Sequence, residues 1–248
     1  MRQLICAGNW KMHKTAREAG AFVDTFLPLA RAVPERVEIV ICPPFTALAA
    51  VGSKLNSGRI RLGAQDVHWE ESGAFTGAIS APMLREHGVQ YVIVGHSERR
   101  EYFGDTDLTV RLKTAAALAG GLTPIVAVGE TLELRDAGRA LAHVALQTRA
   151  ALEGLSESDI ARIVLAYEPI WAIGTGRNCD PAEANAVMAA MRACVPGLRD
   201  VPILYGGSVK AENIAAYTAQ SDIDGGLVGG ASLDPASFAA LCANAGGA

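Results

Sequence analysis

Five short stretches of the 248-residue chain set reactive side chains beside glycine or proline. They are GNWK with Asn9 and Lys11, GHSERR with His96 and Glu98, AYEPIWAIGTGRN with Glu168, and the paired-glycine turns of YGGSV and LVGG. A carboxylate, an imidazole and an ammonium can together move a proton and balance charge on oxygen. Glycine lets backbone N–H groups approach an anion without obstruction. Taken singly, each group has an ordinary reading. Lys11 reads as a solvated amine, His96 as a hydrogen-bonded core histidine, Glu168 as a strand-end carboxylate paired with an arginine, and the glycines as turns. They become a site only if the fold gathers them.

The elements that must do so are legible as apolar runs. QLICAGN, VEIVICP, RIRLGAQ, QYVIVGH, TPIVAVGE, RIVLAYEP, VPILYGG and DGGLVGG are near-continuous in Val, Ile and Leu instead of alternating. Strands buried on both faces by crossover helices read this way. Helical spacing predicts helices over Ala16 to Val33, Leu108 to Ala119, Ala182 to Cys194 and Pro235 to Ala243. Asp180-Pro181 and Asp234-Pro235 mark two helix starts, an acid at the cap and proline at the first helical position. Eight βα units in 248 residues average 31 residues each, and no linker or compositional break divides them. The predicted fold is therefore α/β, one domain over residues 1–248, a closed eight-stranded parallel (β/α)8 barrel. An open doubly wound sheet fits less well, because no strand reads as a polar edge. In such a barrel the residues just past every strand share one face. Asn9, Lys11, His96, Glu98, Glu168 and both glycine turns all follow strands.

Composition narrows the partners. Half the residues are hydrophobic and 19% charged, enough to bury a core. The net charge of -4 comes from scattered residues, with no basic cluster for nucleic acid or an anionic membrane. No apolar run approaches a bilayer span and no leader pattern opens the chain, so the expected location is cytoplasmic. Five dispersed cysteines without a C-x-x-C pair argue against a disulfide framework or a thiolate zinc site. Asp66-x-His68 and His96-x-Glu98 are the remaining metal-like pairs, without the further ligands a metal site needs. GTGRNC departs from a dinucleotide fingerprint at Cys179. Residues 66–79 and 169–179 are long for βα loops, which marks them as functional. In the second, Pro169 stiffens one end and WAI makes an apolar tip, the pattern of a lid that excludes water.

GNWKM, GAFTG, GHSERR, AYEPIWAIGTG, YGGSV and DGGLVGGASL occur together and in order, and the chain on that account resembles the triosephosphate isomerase family over nearly its full length. The resemblance implies a TIM barrel and interconversion of dihydroxyacetone phosphate and D-glyceraldehyde 3-phosphate through an enediolate, with no cofactor and no metal. It implies Glu168 as the base, its proton affinity raised by desolvation, and His96 as a neutral imidazole donor whose proton affinity is lowered by a helix N-terminus, as in the family. Lys11 supplies positive charge, Asn9 positions a substrate oxygen or Lys11, and Glu98 partners this network. The phosphate is expected on backbone N–H groups at Gly174, Ser208, Gly229 and Gly230, with Gly206 and Gly207 making the turn. A homodimer is implied, with loop 66–79 projecting into the neighbour, Thr76 reaching its site and Gln65 in the adjoining interface. Four positions depart from the family's common residues: Ala127 for Cys, Ala78 for Glu, Arg177 for Lys and Asp66 for Asn. An inactive phosphate-binding barrel would share the phosphate turns but would not keep Lys11, His96 and Glu168 together, and a sugar-phosphate epimerase or lyase would not account for GHSERR and YEPIWAIGTG together.

Overall fold

Each predicted strand forms, and each pairs in parallel with its sequence neighbour until the last meets the first. The computed structural model describes residues 2–55, 58–173 and 179–247. Its strands are β1 Leu4–Asn9, β2 Val37–Cys42, β3 Ile60–Ala64, β4 Tyr91–Val94, β5 Thr123–Val128, β6 Val164–Tyr167, β7 Ile203–Tyr205 and β8 Gly225–Val228. They run in the order β1 to β8 and close into a barrel, Ile5 of β1 facing Gly225 of β8. Closure removes the edge strands that an open sheet would leave.

Side chains alternate across each strand, which divides the core into two. Ile5, Ala7, Val40, Cys42, Ile93, Ile125, Ala127, Val164, Ala166, Leu204 and Leu227 fill the barrel interior. The other parity, with Cys6, Ile39, Ile41, Val92, Val94, Leu165 and Ile203, packs outward in the larger cluster that includes the helices. Ala127 takes its place in the interior layer, fully buried.

The helices start where their caps predict. Asp180 accepts the Ala182 N–H at 2.8 Å and opens the helix Pro181–Cys194. Asp234 accepts the Ser237 N–H at 2.8 Å and opens Pro235–Ala245. The first helix is shorter than expected, Ala16–Leu29, followed by a 3-10 turn Ala30–Ala32. Pro28 lies in its last turn and has no N–H to continue the ladder. Below the barrel, Asp224 accepts from Arg2 Nε at 2.8 Å, Arg192 Nη2 at 2.9 Å and the Ile203 N–H at 3.0 Å, tying the N-terminal segment and a helix to β7 and β8. Among the described residues no helix is long and apolar enough to cross a membrane.

Candidate active site

Strand parity explains why polar groups collect above the apolar interior. Two residues beyond Ala7, Ala166, Leu204 and Leu227 on the inward parity come Asn9, Glu168, Gly206 and Gly229. All four line a cavity of about 790 Å3 that also takes in Lys11, His96, Ser208 and Gly230. Nine of the residues expected from sequence are thus placed. Asn9, Lys11, His96, Glu168, Ser208, Gly229 and Gly230 border this one cavity, Glu98 bonds to Lys11, and Gln65 bonds to the Lys11 backbone. Gly174, Arg177 and the centre of the expected lid, 174–178, lie outside the described residues. Thr76 is exposed and does not border the cavity of its own chain.

Glu168 is only 2% exposed, so its carboxylate must be hydrogen-bonded within the protein. Its Oε2 accepts the Ser97 N–H at 2.8 Å and its Oε1 lies 3.0 Å from His96 Nε2. Its backbone is equally constrained. The Glu168 N–H donates to the Val128 carbonyl at 2.8 Å, and Gly129 passes so close to the Glu168 carbonyl that any Cβ there would overlap it. His96 caps the short helix Ser97–Phe103, its Nδ1 accepting the Glu98 N–H at 3.2 Å. A backbone N–H can only donate, so Nδ1 carries no proton in this arrangement and the ring proton resides on Nε2, facing Glu168.

These contacts reverse two expectations. Burial alone would raise the Glu168 carboxyl, but His96 beside it and the Ser97 N–H outweigh burial and hold it below its ordinary value. Burial alone would lower His96, but the Glu168 carboxylate outweighs burial and raises it. Each shift comes from the partner.

Lys11 has a left-handed backbone, φ 51°, uncommon for a residue with a side chain. Its N–H donates to Asn9 Oδ1 at 3.0 Å and its Nζ to Glu98 Oε1 at 2.7 Å. A Cβ built on Gly229 would lie 3.4 Å from Lys11 Cε, so the ammonium stem runs alongside the Gly229-Gly230 turn. The turn continues as a three-residue 3-10 segment, Gly230–Ser232. Ser208 Oγ donates to the Ala172 carbonyl at 2.9 Å, joining the β7 turn to the segment after β6.

Two supporting groups were not singled out from sequence, and a third, Asp66, stood there only as a departure and in a metal-like pair. Ser97 holds Glu168 through its backbone N–H, and its place between His96 and Glu98 in GHSERR was the available signal. Glu130 is fully buried and accepts from Tyr167 Oη at 2.9 Å and Trp171 Nε1 at 3.0 Å, anchoring the residues that follow Glu168. The Arg135 guanidinium stacks 4.4 Å from the Trp171 ring. Third, Asp66 joins a buried network: Lys113 Nζ reaches Asp66 Oδ1 and Asp105 Oδ1 at 2.8 Å each, and Arg99 Nη2 reaches Asp66 Oδ2 at 2.8 Å. Ala78 lines the same neighbouring cavity as Asp66, Arg99 and Lys113. Among the described residues no group of three or more His, Cys, Asp or Glu side chains is arranged to hold a metal, and the two metal-like pairs are engaged otherwise.

The sequence model of the family described as triosephosphate isomerase matches residues 4–245. A triosephosphate isomerase of Symbiobacterium thermophilum is 57% identical over 99% of this chain and 98% of its own length. Triosephosphate isomerases of Nostoc punctiforme and Moorella thermoacetica are each 52% identical over 97% of this chain and 98% of their own.

Proposed function

The chain belongs to the triosephosphate isomerase family and interconverts dihydroxyacetone phosphate and D-glyceraldehyde 3-phosphate, and we propose that Glu168, His96 and Lys11 divide the work of that reaction. The observation that carries this reading is their convergence on one cavity from β6, β4 and β1. Glu168 takes a proton from carbon 1 of dihydroxyacetone phosphate. The C–H electron pair becomes a carbon–carbon double bond, and the carbonyl oxygen takes up negative charge. His96 Nε2–H, freed when Glu168 leaves it, donates to that oxygen, while Lys11 supplies the cation. Glu168 returns the proton to carbon 2, the O1 proton passes to O2, and an aldehyde remains at carbon 1. Asn9 and Glu98 hold Lys11 in place. The backbone N–H groups of Ser208, Gly229 and Gly230 take the phosphate, supported by their position on the cavity wall beside Lys11.

Turnover in D2O tests the proton route. The proton held by the Glu168 carboxyl exchanges with solvent while the enediolate lasts, so product formed from dihydroxyacetone phosphate is expected to carry solvent deuterium at carbon 2, read by proton NMR. Complete retention of the original carbon-bound hydrogen would indicate a hydride shift and overturn the scheme.

A homodimer belongs to the same proposal. Residues 70–77, Thr76 among them, are exposed, and Met12 at 94% exposure, Tyr102 and Phe103 add apolar surface. Sedimentation equilibrium is expected to give twice the mass of one chain, and a single-chain mass at micromolar concentration would contradict it. Residence in the cytoplasm is supported by five free cysteines, which suit a reducing compartment, and is checked by cell fractionation.

A further inference from the structure

The hydrogen bonds around Lys11 point to a second role for Gln65: we infer that it is a positioning residue for the Lys11 ammonium, and so for the isomerisation itself. Gln65 directly follows β3. Its single amide nitrogen donates to two carbonyls, those of Lys11 and Cys42, each at 2.9 Å. Cys42 is the last residue of β2, faces Asn9 in the register, and its carbonyl also accepts the Trp10 N–H at 3.1 Å. The fork therefore ties the end of a rigid strand to the peptide that follows Lys11.

That peptide needs holding. Lys11 sits at φ 51°, a conformation that a residue with a side chain keeps only when its surroundings impose it. Asn9 Oδ1 takes the Lys11 N–H on one side and Gln65 takes the Lys11 carbonyl on the other. Between these two clamps the stem leaves the chain toward the cavity, where the ammonium meets Glu98 at 2.7 Å and passes Gly229. With the Gln65 donors gone, the Lys11 carbonyl loses its fixed partner and the residue can relax to a negative φ. Relaxation swings the stem off the cavity. Misplacement of a charged group by about 1 Å can lower a rate by about 10²-fold. An interface role for Gln65 alone carries no such consequence.

The inference rests on Lys11 acting as the active-site cation, and a double-mutant cycle keeps the two claims apart. Gln65→Leu is expected to lower kcat/KM about tenfold to a hundredfold and to weaken binding of 2-phosphoglycolate, at every protein concentration assayed. In a Lys11→Met background the same change is expected to cost less than about twofold, because nothing remains to position. If Gln65→Leu does not fold, Gln65→Met, of similar length and without donors, takes its place. Equal losses in both backgrounds, no loss at all, or a loss that disappears as protein concentration is raised would each overturn the role of Gln65. If Lys11→Met alone leaves kcat/KM unchanged, the reading of Lys11 fails, and the inference fails with it.

Discussion

Replacing Glu168 by glutamine is expected to lower kcat by roughly 10²–10⁴-fold, the usual contribution of a general base, while inorganic phosphate binds within a few-fold of its original affinity. The substitution keeps the side chain's size and leaves an oxygen able to accept the Ser97 N–H, now made to Oε2 at 2.8 Å. The Ser97 contact is kept, while the amide NH2 in place of Oε1 faces the His96 Nε2–H, so the barrel folds with a modest loss of stability. What disappears is the carboxylate that lines the cavity beside His96 and Lys11, the group proposed to take a proton from carbon. The phosphate contacts proposed at Ser208, Gly229 and Gly230 lie on the turns after β7 and β8, not on the segment that carries this change. Steady-state kinetics and a phosphate titration on one preparation check both halves. A kcat within tenfold of the original would place the base elsewhere.

Replacing Lys11 by methionine is expected to lower kcat/KM by roughly 10²–10³-fold, the range for losing one preorganised group that stabilises developing charge. The loss should appear in both parameters. KM rises because the cation faces a phosphate dianion in the ground state, and kcat falls because it also faces the enediolate. Methionine follows the path of the lysine stem beside Gly229, and Glu98, at 39% side-chain exposure, can be solvated once its partner is gone. Thermal unfolding should accordingly move little. A change confined to KM would leave Lys11 as a phosphate contact alone, and unchanged kinetics would remove it from the site.

The architecture was readable from sequence because the governing interactions are local or periodic. Near-continuous apolar runs identified eight strands buried on both faces, and Asp180-Pro181 and Asp234-Pro235 fixed two helix starts through side chains acting two or three residues away. The strand-end position of Asn9 and Glu168 followed from the same pattern. Harder to read were the contacts that span the barrel. Glu168 and His96 lie 72 residues apart, and their mutual shifts depend on a 3.0 Å approach that no spacing reveals. The first helix stops short of Val33 because its bonding tightens after Leu29, with the Val33 N–H on the Ala30 carbonyl, a change that its continuing apolar pattern does not show. Asp66 looked like a minor departure, yet it balances Arg99 and Lys113 in a buried network. Burial still raises its carboxyl above the ordinary range against the pull of Lys113, a balance of opposing effects invisible in one dimension. The resemblance implied only an interface place for Gln65, while its fork onto Lys11 and Cys42 required the register of three strands.

The central claim is that three side chains from separate strands act on one triose phosphate. A crystal structure with 2-phosphoglycolate, which carries a carboxylate where the enediolate oxygens would form, tests it most directly. The account predicts that Glu168 leaves the Ser97 N–H and reaches the ligand carboxylate, with His96 Nε2 and Lys11 Nζ within about 3 Å of ligand oxygens and the phosphate on the turns after β7 and β8. A ligand bound with Glu168 still on Ser97, or with Lys11 and His96 beyond hydrogen-bonding reach of it, would contradict the account.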